Sequence, residues 1–145
     1  MAYETDTIKG KLFEDGVFSF PIRVYYEDTD AGGIVYYANY LKFAERARTE
    51  HLRYLGINQE SMLKEKGMGF VVKDCKINYK SPAKLDDALN MTSEIQDRRS
   101  ASFKMVQKLY RGDTVLAEIE ITAVFLTFPA MRPTKIPEEI VEKLQ

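Results

Sequence analysis

Residues Tyr26 to Gly56 read YEDTDAGGIVYYANYLKFAERARTEHLRYLG. In the second part of this stretch Tyr37, Tyr40, Leu41, Ala44, Ala47, Arg48, His51, Leu52 and Leu55 recur at steps of three and four residues, the spacing of one helix face. The spacing predicts a helix from about Asn39 to Leu55, roughly 25 Å long at about 1.5 Å per residue, and it is the only long helix expected in the chain. Asn39 reads as its N-cap, the alternative being that it orients the preceding loop or a catalytic water. Gly56 suits the left-handed position after the last turn, with Ile57 able to fold back onto Leu52.

Outward from this helix the pattern changes to strands. Upstream, VFSFPIRVYY (Val17 to Tyr26) is rich in aromatic and β-branched residues, and Pro21 cannot donate to a ladder, so this strand is expected at an edge or bulged. Downstream, a linking segment around NQESMLKEKG leads into four runs: GFVVKDCKINYK, LDDALNMTSEIQDRR, SASFKMVQKLYRG and DTVLAEIEITAVFLTF. The junction RGDT has hairpin chemistry, and consecutive strands with short connections predict an antiparallel meander. The fold class is therefore α+β, with a curved antiparallel sheet of about five strands wrapped around a long central helix. Residues 1–145 read as one domain. Residues 1–16 form an extended tail or a loose extra hairpin, and 137–145 a short C-terminal helix opened by Pro137.

Composition removes several classes of function. The 145 residues carry 21 Lys+Arg against 22 Asp+Glu, a net charge of -1, which gives no overall basic field for nucleic acid or an anionic membrane. No run approaches the length of a membrane span, and MAYETDTIKGK lacks an apolar signal core, so a cytoplasmic protein without an integral membrane segment is expected. Cys75 has no second cysteine to pair with, and His51 is the one histidine, so a Cys/His metal cluster is excluded and no metal or cofactor is expected.

The chemistry concentrates between Tyr26 and Tyr40. Glu27, Asp28 and Asp30 stand just before Gly32, Gly33 and a helix start, where unpaired N–H groups and the positive end of the helix dipole suit a negative oxygen. A carbonyl oxygen gaining charge under attack fits such a cradle, and a carboxylate in the adjoining turn can attack or activate water. Without a histidine to protonate a leaving group, a thioester is the natural substrate, because a thiol of pKa about 8.5 departs as thiolate.

The stretch RVYYEDTDAGGIVYYANYLKFAERARTEHLRYLGI, with FVVKDCKINYKSPAKLDD and EIQDRRSASF downstream, resembles the hotdog-fold 4-hydroxybenzoyl-CoA thioesterase family and, within it, the Tol-Pal-associated acyl-CoA thioesterases of bacteria. The resemblance runs from about Phe20 to the C-terminus. It implies an acyl-CoA thioesterase in which Asp30 is the catalytic nucleophile or general base and the Tyr37 backbone N–H polarises the thioester carbonyl. Tyr37 departs from the histidine common in the Tol-Pal branch and agrees with the tyrosine of the 4-hydroxybenzoyl branch. The resemblance further implies substrate binding at Gly33, Val72, Arg98 and Arg99, with both arginines on the CoA nucleotide. It implies a homodimer or homotetramer with active sites at the subunit interface, CoA being part of the substrate rather than a cofactor. Alternatives are an acyl-carrier-protein thioesterase and a non-catalytic acyl-CoA-binding or scaffolding protein. Of the remaining residues, Asp28 and Glu27 are expected to hold the loop, Arg48 to brace it or an interface, and Lys104 to reach phosphate. Glu50 is expected to pair with Arg46, and His51 and Cys75 to serve packing.

Overall fold

The periodic stretch forms α1, Asn39–Tyr54. The structure, a computed structural model, describes Tyr3 and residues 9–144. The helix ends as its sequence requires: Gly56 adopts φ +88°, and the Ile57 amide returns to the Leu52 carbonyl at 2.9 Å. The expected segment after it is not a plain linker. Gln59–Lys66 forms a second helix, α2, capped by the Asn58 side chain, which accepts from the Ser61 amide at 3.0 Å.

One sheet packs against α1. Its strands are β1 (Lys11–Leu12), β2 (Phe18–Arg23), β3 (Met68–Tyr79), β4 (Ala88–Gln96), β5 (Ser102–Arg111), β6 (Thr114–Thr127) and β7 (Arg132–Pro133). The expected five strands become seven because two short strands, β1 and β7, join five long ones. The C-terminal helix α3 spans Glu138–Lys143 behind Pro137. Part of residues 1–16 forms the hairpin arm β1; Met1, Ala2 and 4–8 lie outside the described residues, as does Gln145.

The sheet order is β1-β2-β4-β5-β6-β3, with β7 on β6. This corrects the expected four-strand meander: β4, β5 and β6 follow one another, but β3 pairs with β6 and the chain then crosses to β4. β4 is claimed on its other side by β2, so β3 finds its partner at the opposite end of the meander. Pro21 lies where β1 no longer covers β2, and its missing N–H costs no ladder bond.

Alternation decides the core. On β2, β4, β5 and β6 every second side chain is buried, and Phe43, Ala44, Ala47 and Leu52 of α1 press onto Phe18, Leu89, Met91, Phe103 and Met105. Each fully buried Phe or Leu contributes about 1.5–3 kcal/mol through removal from water. α1 packs chiefly on β2 and β4, and α2 meets β3, so much of β3 after Val71 stays exposed. Phe70, Val72, Cys75, Ile77 and Tyr79 share the helix side of β3, opposite core residues of β6, because a bulge between Val72 and Asp74 shifts the alternation. Val72 is 45% and Tyr79 43% exposed there.

His51 is buried as expected, its ring stacked on Phe18 at 4.9 Å with Nδ1 unpartnered. Burial lowers its pKa from 6.5 to about 4. The folded state therefore holds neutral imidazole while the unfolded chain takes up a proton, so this stability is complete above about pH 6.5 and lost on acidification toward pH 4, at about 1.4 kcal/mol per pH unit. Urea unfolding at about pH 7 and pH 4.5 checks this: His51→Phe should lose about 2–3 kcal/mol less between the two than the parent. Equal losses would contradict it.

Candidate active site

The loop from Tyr25 to Ala38 is built on Asp28, which is 2% exposed. Its carboxylate accepts from the Tyr25 amide at 2.8 Å and from the Asn39 side-chain amide at 2.9 Å, while its carbonyl accepts from the Tyr36 amide at 2.8 Å. A buried carboxylate demands such donors. Asn39 is accordingly not the expected N-cap; Ala38 precedes α1 without a side-chain cap, and Asn39 ties the first turn of α1 to the loop.

Asp30 sits one residue beyond a bridge between Thr29 and Val35. Its amide donates to the Ile34 carbonyl at 2.9 Å, and its carboxylate accepts from the Gly32 amide at 2.9 Å. Gly33 turns the chain with φ +80°, a conformation that costs side chains with a Cβ. Both backbone groups of Gly33 are spent holding the loop, to Asp30 and Leu85. On the isolated chain the Asp30 side chain is exposed.

Two backbone donors stay unspent at the helix start. A turn closed by the Asn39 amide on the Tyr36 carbonyl has Tyr37 and Ala38 at its centre, and their own amides meet no acceptor among the described residues. The Tyr79 hydroxyl donates to the Tyr37 carbonyl at 2.8 Å, holding the peptide unit that follows this donor. Burial pushes the Tyr79 phenol above its ordinary value, with Tyr40 and Tyr37 acting in the same direction, so it remains a donor. The Tyr40 hydroxyl accepts from the Ala83 amide at 3.0 Å, and Ala83 in turn holds Val35. Ile34, Val35, Tyr37, Tyr40, Tyr79 and Pro82 line an open cleft of about 390 Å³.

The structure thus brings Asp30, Gly33 and Tyr37 onto one loop, and leaves the other expected binding residues elsewhere. Val72 lies further along β3, beside α1. Arg98 and Arg99 follow β4, whose nine residues carry the chain about 30 Å from the loop end of the sheet. There Arg98 donates to the Val141 carbonyl at 3.3 Å, and Arg99 pairs with Asp97 at 3.4 Å. Lys104 faces Glu120, and Glu50 pairs with Arg53 at 2.6 Å rather than with Arg46. Arg48 meets no loop acid; it donates to the Gln107 side chain at 3.1 Å. Tyr79 and Ala83 were not anticipated, because no local pattern links them to a turn 42 residues away. Among the described residues no cluster of His, Cys, Asp or Glu is grouped to hold a metal ion, and no helix is long and apolar enough to cross a membrane.

An α+β domain with one long helix packed on a curved antiparallel sheet, and a tyrosine-lined cleft beside the start of that helix, is the hotdog arrangement. The chain belongs to the thioesterase-like superfamily, whose family model matches residues 24–144. It is 44% identical over 126 residues to the acyl-CoA thioesterase YbgC of Haemophilus influenzae, covering 87% of this chain and 93% of that protein. It is 41% identical over 130 residues to the acyl-CoA thioester hydrolase YbgC of Escherichia coli O157:H7, covering 89% and 96%. Among solved structures, a probable thioesterase from Bartonella henselae matches with a TM-score of 0.77 at 33% identity, over 82% of this chain and 98% of that one. The 4-hydroxybenzoyl CoA thioesterase of Pseudomonas sp. strain CBS-3 shares the fold with a TM-score of 0.80 at 21% identity, over 88% and 98%.

Asn39→Ala should leave the buried Asp28 carboxylate short of a donor and cost about 1–3 kcal/mol of stability. Thermal unfolding measures it. An unchanged midpoint would remove Asp28 from its place as the anchor of the loop.

Proposed function

We propose that the chain hydrolyses acyl-CoA thioesters to the free acid and CoA, with Asp30 and the Tyr37 amide as the reacting centre. The thioester carbonyl oxygen accepts from the Tyr37 N–H. Asp30 either removes a proton from the attacking water or attacks the carbonyl carbon itself, to be freed by water in a second step. In both routes the C–S bond breaks with its electron pair on sulfur, and CoA leaves as thiolate. No metal or cofactor is needed in this reading. The observation that carries it is the unspent Tyr37 amide at the start of α1, on the same short loop as Asp30 and at the wall of an apolar cleft. One such donor is worth about 2.7–4 kcal/mol in the transition state of comparable reactions.

The same reading makes the active unit a homodimer or homotetramer. β3 is a long edge strand with unpaired backbone and an uncovered apolar helix side, a surface that a two-fold related copy fills by antiparallel pairing. Side chains from Val72 to Tyr79 form the exposed run. Centring the axis on it sets Val72 of one copy opposite Tyr79 of the other, on the same face because of the bulge. Asp30 then borders a cleft walled by two subunits, and Arg98 and Arg99 come to the cleft from another subunit to hold the CoA nucleotide. A carrier-protein substrate is less well served, since Arg99 and Lys104 are each matched by an acid rather than forming a broad basic apron. The enzyme is placed in the cytoplasm, where CoA esters are met.

Asp30→Asn should fold and assemble normally yet lose at least about a hundredfold in acyl-CoA hydrolysis, followed by free-thiol release. Full hydrolytic activity in that variant would refute the assignment of Asp30, whereas no hydrolysis by the unmodified protein would favour a non-catalytic CoA-ester-binding protein. Replacing Arg98 and Arg99 together by Gln should raise KM for CoA esters severalfold and flatten its salt dependence. A short thioester without the nucleotide should be affected less; an equal effect on both would refute the assignment of the arginines.

A further inference from the structure

Two consecutive peptide units stand at the start of α1, and each has its carbonyl engaged. In the first, the Tyr36 carbonyl accepts from the Asn39 amide at 2.8 Å, and the N–H at the other end of that unit is the Tyr37 donor. In the second, the Tyr37 carbonyl lies outside the helix ladder, because the Leu41 amide turns to the Ala38 carbonyl at 3.2 Å. The Tyr79 hydroxyl takes the place of the missing donor at 2.8 Å, from 42 residues along the chain. With a pinned peptide plane on either side of its Cα, Tyr37 has neither φ nor ψ free.

The phenol is itself held from several sides. Tyr79 ends β3 in register with Ala117 of β6, and just beyond it the Lys80 and Ser81 amides both donate to the Leu116 carbonyl, at 2.8 and 3.1 Å. Its ring meets the buried Tyr40 ring edge-on, with centroids 5.1 Å apart and planes at 83°, and the Tyr37 ring at 6.5 Å and 77°. Tyr40 is fixed in turn by the Ala83 amide on its hydroxyl. The hydrogen bond from Tyr79 to Tyr37 is exposed, so water can satisfy both partners and its net contribution to stability is small. What water cannot replace is the direction that a strand-borne hydroxyl imposes on the peptide.

We propose that Tyr79 is a positioning residue for hydrolysis: its hydroxyl, by holding the Tyr37–Ala38 peptide against β3, keeps the Tyr37 N–H aligned on the substrate carbonyl. This rests on the thioesterase reading, in which the Tyr37 amide receives the carbonyl oxygen. A donor aligned before the reaction needs no reorganisation as charge develops, whereas a donor free to turn does. Tyr79 touches no reacting atom in this role and acts only through Tyr37. Its effect therefore falls on the chemical step, and it vanishes when the Tyr37 donor is absent.

The test follows free-thiol release from the best substrate of a panel running from acetyl-CoA to palmitoyl-CoA. Tyr79→Phe should lower kcat about three- to tenfold, the range of one neutral hydrogen bond, with KM within about twofold of the parent. In protein whose Tyr36–Tyr37 peptide bond is replaced by an ester, the same substitution should change kcat by less than about twofold. A second variant keeps the hydroxyl and the ring: 3,5-difluorotyrosine at position 79, whose phenol ionises near neutral pH. A phenolate has no hydrogen to donate, so kcat relative to the parent should fall as pH rises through that ionisation, located by its absorbance. Thermal unfolding and size-exclusion chromatography establish that the variants are folded and assembled. An unchanged kcat in Tyr79→Phe, an undiminished effect in the ester protein, or a kcat ratio flat across the ionisation overturns the inference and leaves Asp30-dependent hydrolysis standing. No hydrolysis of any ester in the panel by the unmodified protein defeats the thioesterase reading, and this inference with it.

Discussion

The architecture turns on where the apolar stripe of α1 is buried. Phe43, Ala44, Ala47 and Leu52 settle onto β2 and β4, and this choice does two things at once. It fixes the first turn of α1 against the connection between β3 and β4, where Val35, Tyr40 and Ala83 are joined by hydrogen bonds. It also withdraws the helix from β3, leaving that strand with an uncovered side and two cavities along it. Hydrophobic burial is non-directional, but here its placement decides which backbone donors stay unspent and which sheet edge stays open.

The loop before α1 is rigid for electrostatic reasons. Asp28 is buried with its oxygens engaged by Tyr25 and Asn39, so it organises the turn, and the neighbouring Asp30 is left exposed with a partly free carboxylate. Two acids two residues apart thus take different parts because one is buried and the other is not. Tyr79 completes the arrangement from a distant strand by binding the Tyr37 carbonyl, while the Tyr37 amide meets no acceptor among the described residues. An oxyanion site made from main chain tolerates a change of side chain. In the proposed reading Tyr37 acts through its main chain, and the residue itself is 64% exposed beside Tyr36 and Tyr79.

Much of this was legible in the sequence wherever the signal is local. The period of α1, its Gly56 terminus, the RGDT hairpin and the Pro137 start of the last helix all depend on residues within a few positions of one another. The acid-glycine loop was legible for the same reason, since Asp30, Gly33 and Tyr37 lie within eight residues. Long-range pairing was not. Nothing in the composition of β3 says that it joins β6 rather than β4, and that pairing sets Val72 apart from Asp30 and leaves β3 at the edge of the sheet. Asn39 misled because an amide that caps a helix and one that grips a buried carboxylate look identical in sequence. Arg98 and Arg99 read as a turn, but which end of the sheet that turn occupies follows only from the strand order.

The central claim is that one backbone donor, held by the start of α1, stabilises the charge that develops on the substrate carbonyl. Replacing the peptide bond between Tyr36 and Tyr37 by an ester deletes that N–H and leaves every side chain in place. The account predicts a fall in kcat of about 100- to 1,000-fold with an unchanged fold and assembly. A kcat equal to that of the all-amide protein would contradict it.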